Sequence, residues 1–284
     1  MVRNLAICLG FLAPTTALAL DWDPALGGLC VQVAANSASP CGESPRGDQS
    51  AFAAMAREYG MALAPRLMAP AESLGINGFA FGLHLGLTNV DETSAHWQRA
   101  TRKNQGNPDE GDAPGTLQTL HLDLRKGLPF SGEVGANVAW LANSELLAFT
   151  GSLKWALNEA VARFPVDLAV RAAVSRVVGS SELHMTFFGL DFVASRGFGV
   201  AGSINIAPYM AYSPVFVYAS SGVVDSSPGD STTPAGTFVL ADEDQVIHRF
   251  VIGGRLLFGA LNFTPEIAIA QGLQSYNFNL GLEF

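Results

Sequence analysis

From residue 79 to the last residue, apolar and polar side chains alternate with a period of two, and they do so in long runs. The stretch "FAFGLHLGL" puts Phe79, Phe81, Leu83, Leu85 and Leu87 on one face of an extended chain, with Ala80, Gly82, His84 and Gly86 on the other. The same pattern recurs around Leu120–Arg125, Glu133–Trp140, Leu147–Trp155, Val166–Ser175, Phe188–Phe192, Val200–Tyr212, Arg249–Phe258, Phe263–Ile269 and Tyr276–Phe284. A period of two belongs to strands, not helices. These ten segments are read as strands of roughly ten to thirteen residues. A tilted strand needs about 9–11 residues to cross a bilayer, whereas strands of soluble sandwiches are usually nearer 5–6. The large polar residues share one face opposite Leu, Phe and Val. That suits a transmembrane barrel, whose apolar side meets lipid and whose polar side faces inward. The fold class read from the sequence is all-β, a transmembrane antiparallel up-and-down β-barrel of ten strands, with eight or twelve as alternatives.

The connections fit this reading. If the first strand starts at the periplasm, the odd connections are external. The two longest connections, residues 91–115 and about 219–245, are both odd, while the even connections near 127–129, 158–163, 195–198 and 260–262 are short. Short periplasmic turns and longer outer loops are the rule for such barrels. Residues 197–224 carry no charge, but Pro208 and Pro214 and the alternation from Val200 to Tyr212 favour a strand over a membrane helix.

Composition excludes one class of partner. The formal charge of the 284 residues is −9 and only 14% of them are charged, so nucleic acid, which needs a Lys/Arg surface, is not expected. Arg3, the apolar "LAICLGFLAP" and "ALA" at Ala17–Ala19 read as a signal peptide over 1–19. Cleavage there removes Arg3 and takes the charge from −9 to −10. Cys30 and Cys41 then remain, an even count that suggests one small disulfide loop in an oxidising compartment. Residues 20–73, rich in Pro, Gly and Ser, read as a periplasmic extension. They hold a short helix, "SAFAAMAREYG", with Phe52, Met55 and Tyr59 on one face and Gly60 at its end. A plug entering the barrel is the alternative. Residues 74–284 form the barrel.

The chain closes on "SYNFNLGLEF", with Tyr276, Phe278, Leu280, Leu282 and Phe284 on one face. In this it resembles bacterial outer-membrane barrels, which commonly end in an aromatic and apolar strand with a terminal Phe. The resemblance covers roughly residues 75–284 and implies outer-membrane location, a closed barrel and recognition of that strand by the outer-membrane assembly machinery. It implies no substrate. On the residues themselves, the last strand pairs with the first to close the ring.

Inward charges are five basic residues, Arg125, Lys154, Arg171, Arg249 and Arg255, against Asp123, Glu133, Asp167, Asp191, Glu266 and Glu283. Most lie in the periplasmic half. Opposite charges on neighbouring strands attract, so a cross-linked layer is expected, with Lys154 facing Asp167 and Arg255 facing Glu266 across two periplasmic turns. It would narrow the lumen below a wider outer vestibule. The function read from this is a narrow or gated small-solute channel or uptake protein in contact with outer-membrane lipid. A structural or adhesive barrel with a filled interior is the alternative, and an outer-membrane enzyme ranks last. His121 and Asp123 share a face and suit acid–base chemistry, but a hydrogen-bonded interior accounts for them too. The sequence shows no nucleophile elbow, phosphate loop or zinc pattern, and no cofactor is expected. The acidic runs "NPDEGD" and "ADEDQ" are read as solvated loops, with calcium as the alternative.

Overall fold

A computed structural model describes residues 20, 22–31, 41, 45–101, 115–157, 165–200, 204–226 and 236–284. The signal peptide and the "NPDEGD" run lie outside these residues. The strands are β1 (Phe79–Asn89), β2 (Thr116–Gly127), β3 (Gly132–Leu141), β4 (Leu147–Ala156), β5 (Asp167–Val178), β6 (Leu183–Ser195), β7 (Phe198–Val200), β8 (Ile204–Ser221), β9 (Val224–Asp225), β10 (Thr237–Phe238), β11 (Glu243–Phe258), β12 (Leu261–Ala270) and β13 (Leu273–Glu283). Two helices accompany them, α1 (Gln49–Leu63) and α2 (Ala95–Arg99).

Ten of the strands form one antiparallel ring. Each pairs with its chain neighbours, β8 pairs with β6 and β11, and β13 pairs with β1. The closing register runs from Ala80 opposite Glu283 to Thr88 opposite Ser275. At its end Phe79 and Phe284 exchange backbone hydrogen bonds of 2.9 and 2.8 Å. The last strand is therefore tied down to its final residue, and the ring has no free edge. Val200 belongs to β7, a short arm folded back on the start of β8, so the long strand expected from Val200 begins at Ile204. Between β12 and β13 the connection is Gln271-Gly272, both at positive φ. That is the two-residue geometry whose twist matches paired strands.

The exterior is apolar. Leu83, Leu122, Leu153, Ile252, Phe263 and Leu280 all stand exposed on outward faces. So do Trp155, Phe192, Phe258 and Phe284 toward the periplasmic end and Trp140 toward the other. An apolar belt of this extent is not a water-facing surface. No described helix is long and apolar enough to cross a membrane; the strands cross it.

The interior departs from the sequence reading. Residues 20–73 do not form a periplasmic extension: their described part enters the barrel. Trp22 and Asp23 bind the β3–β4 connection at Asn143, Ser144 and Glu145, and the Leu26 amide donates to Glu182 beside the β5–β6 connection. Both connections are at the end of the barrel that carries the long β1–β2 connection, which the rule of short periplasmic turns and long outer loops makes the external side. The Gln49 amide group, also at that mouth, donates to Ala241 and Glu243. From there α1 descends through the lumen, residues 64–72 cross the polar layer, and the chain leaves at the periplasmic end to begin β1.

The physical reason lies in the wall. In its outer half the inward side chains are apolar: Leu117, Leu141, Met185, Phe187, Val217 and Ile247 are all buried. A lumen lined that way cannot hold water comfortably, and it buries a helix instead. Helix α1 is apolar on several sides, with Phe52, Met55, Tyr59, Met61 and Leu63 buried, as befits a helix surrounded by protein. The wider outer vestibule expected from the sequence is thus filled. Asp48 caps α1 by accepting from the Ala51 amide at 3.1 Å. Gly60 does not end the helix, which runs on to Leu63; Ala64 turns extended and Pro65 stops it. Gly60 is instead a point of close approach, where an added Cβ would sit 3.0 Å from both Ile247 and Val217.

Candidate functional site: a charged socket around an internal strap

Below α1 the residues "APRLMAPAE" (64–72) run as irregular backbone without a strand partner, with Met68 at positive φ. Their backbone groups are buried, and a buried amide or carbonyl must find a partner. The inward charged side chains supply it. Arg249 donates to the Pro65 carbonyl at 2.8 Å and Arg171 to that of Leu67 at 3.5 Å. Lys154 donates to the carbonyls of Pro70 and Glu72 at 3.3 and 2.9 Å. Glu266 accepts from the Met68 amide at 2.9 Å, and the Ser195 hydroxyl from that of Ala71 at 3.0 Å.

The same groups are bound to one another. Arg125 contacts Asp123 at 3.2 Å and Glu133 at 3.3 Å, and Lys154 contacts Glu133 at 3.0 Å. Arg171 and Asp191, directly opposite in register, meet at 2.6 Å. Arg255 holds Glu283 at 2.8 Å and Glu72 of the strap at 2.6 Å. The two pairs expected across periplasmic turns do not form. The β4–β5 register sets Lys154 opposite Arg171, and Asp167 stands opposite Ser195. Like charges face each other there, and Glu133 and Asp191 offset them. In the β11–β12 pair Glu266 lies opposite Gly253, and its carboxylate accepts from the Tyr209 hydroxyl at 2.8 Å. Both turns are centred differently from the symmetric placement read in the sequence, so the partners slip past each other.

His121 and Asp123 do not act as a pair. His121 contacts Asn137 and Thr119 at 3.3 and 3.0 Å, and its ring lies 6.1 Å from that of His84. Asp123 is taken by Arg125. Both histidines are side chains of a packed interior.

Several socket residues were not legible in the sequence. Arg66, on the strap, donates to Ser275 and Asn277 at 2.5 Å each and to the Ala62 carbonyl at 2.8 Å. Glu58 on α1 receives the Trp97 indole and lies 3.3 Å from His96, both from α2 in the first external connection. Tyr59 and Trp97 meet edge to face at 5.2 Å. The available signal was a lone arginine between two prolines and a lone glutamate in an apolar helix. Neither names its partner. At the mouth, burial pushes the Asp48 carboxyl up, but hydrogen bonds from Ser50 and the Ala51 amide, with the nearby Arg99 guanidinium, outweigh it and hold the group below the usual carboxylate range. Cys30 and Cys41 are joined in a disulfide, with Cα atoms 5.5 Å apart.

An even-stranded antiparallel ring, closed by its terminal strand and belted with apolar side chains, is the architecture of bacterial outer-membrane barrels. The chain is an outer-membrane β-barrel. No protein-family model matches it, and no curated protein aligns with it in sequence. Among solved structures it is similar to Ail, the attachment invasion locus protein of Yersinia pestis, with 10% identity and a TM-score of 0.30, over 73% of this chain and 99% of that one. Neisserial surface protein A gives 8% identity and a TM-score of 0.31, over 72% and 95%. At these values neither likeness bears on function. What this barrel does has to be argued from its filled interior.

Proposed function

We propose that this barrel does not conduct solutes and acts at its outer face, as a structural or adhesive surface protein. One observation carries the reading: the lumen charges that would line a pathway are spent on the chain's own strap. Arg171, Arg249, Lys154 and Glu266 all bind backbone groups of residues 65–72. Above them, α1 packs into an apolar wall. The first external connection docks on α1 through Trp97 and His96, so the outer surface and the plug form one packed body.

The test is electrical. Refolded full-length protein in planar bilayers should show no steady current, and liposomes carrying it should not swell in small sugars. A steady current of porin size from the intact chain would overturn the reading and restore the channel.

A further inference from the structure

Arg176 points away from the barrel. On β5 it stands between Val174 and Val178, all three exposed on the outward face. It lies in register with Phe149 on β4 and Thr186 on β6. One row further toward the external rim come Trp140, Leu147 and Val178. Arg176 therefore sits one row inside Trp140, near the external rim, where a charge facing hydrocarbon is unfavourable unless an anion meets it. One guanidinium nitrogen donates to the Thr186 hydroxyl at 2.7 Å. No carboxylate pairs with Arg176 among the described residues, and its side chain is exposed on the outward face.

Directly beside it runs a groove of about 420 Å³ on the lipid side. Leu122, Leu124, Val138, Phe149 and Val174 line it, together with Arg176. Its floor is Gly151, which occupies an outward position between Leu153 and Phe149. A Cβ there would meet nothing within 4 Å, so the missing side chain leaves the space open. A cation near the external rim, joined to an apolar trough, matches one kind of molecule, an acyl lipid with an anionic head.

We infer that the β2–β5 face binds a phosphate-bearing lipid of the outer leaflet, with Arg176 holding the phosphate and the groove over Gly151 taking an acyl chain. A planar fork with several free N–H groups suits a phosphate's paired oxygens better than a single point charge does.

The probe is diphosphorylated lipid A, compared with the same glycolipid after phosphate removal. Each is added to the full chain in detergent micelles, and retained lipid is counted by native mass spectrometry. Wild type should retain the phosphorylated form. Arg176→Gln should weaken retention about tenfold, the loss of one charge-assisted contact. Gly151→Leu fills the groove from an open position, keeps Arg176, and should weaken it similarly. Heat-modifiable migration confirms that both variants are folded. Loss in Arg176→Gln alone would overturn the acyl groove. Equal retention in all three proteins, or of the two glycolipids by wild type, would overturn the site.

Discussion

Lys154 shows how one residue serves both wall and plug. It is buried, 2% exposed, and its ammonium touches Glu133 and two carbonyls of the strap. Removing one partner of a buried ion pair costs about 3–5 kcal/mol, because the other charge is left behind. Here Glu133 keeps Arg125, so Lys154→Ala should cost near the lower figure, about 3 kcal/mol, read as a lower midpoint for denaturant unfolding in micelles. On the narrow-channel view, truncating Lys154 opens the lumen. The filled outer half predicts otherwise: the variant should be less stable and still carry no steady current. A stable, conducting Lys154→Ala protein would show that the layer, and not α1, forms the seal.

At the scale of elements, the fit of α1 against the wall decides whether the barrel is closed. Gly60 is a point of close approach between helix and wall, with branched side-chain ends of Ile247 and Val217 on the far side. Gly60→Leu should overpack this contact and destabilise the plug by about 1–3 kcal/mol. The ten-strand ring has its own backbone hydrogen bonds and need not open with it. The expected outcome is a folded, heat-modifiable barrel in which proteolysis within residues 45–73 is faster than in wild type. Unchanged protection would place the plug's stability elsewhere, in the strap.

For the whole molecule, the path of the chain has a topological consequence. Residues 22–31 and 45–50 lie at the external mouth and residues 74–78 at the periplasmic end, so the chain before β1 passes from one end of the barrel to the other inside it. Ser50 is exposed at the outer mouth and Ile76 is 59% exposed at the opposite end. In intact cells, Ser50→Cys should react with a membrane-impermeant maleimide, and Ile76→Cys only after the outer membrane is permeabilised. The reverse pattern would invert the barrel. Labelling of both from outside would mean that the wall does not separate them.

The wall was legible in the sequence because alternation is local: each strand's neighbours along the chain tell which side chains point out, whatever lies across the sheet. Ten segments, their outward faces and the closing role of Tyr276–Phe284 follow from that period and from loop parity. What faces the lumen was decided only in three dimensions. Met185, Phe187, Val215 and Val217 make β6 and β8 apolar on both faces, which says that something covers the inside but not what. The cover is α1, many residues away in the chain, and its docking leaves buried carbonyls that draw Lys154, Arg171 and Arg249 to the strap. The charge pairs failed for a related reason. Register across a turn depends on its backbone conformation, and a shift of two residues preserves every side chain's face while exchanging its partner. Facing is a property of one strand; pairing belongs to the closed ring and the chain threaded through it.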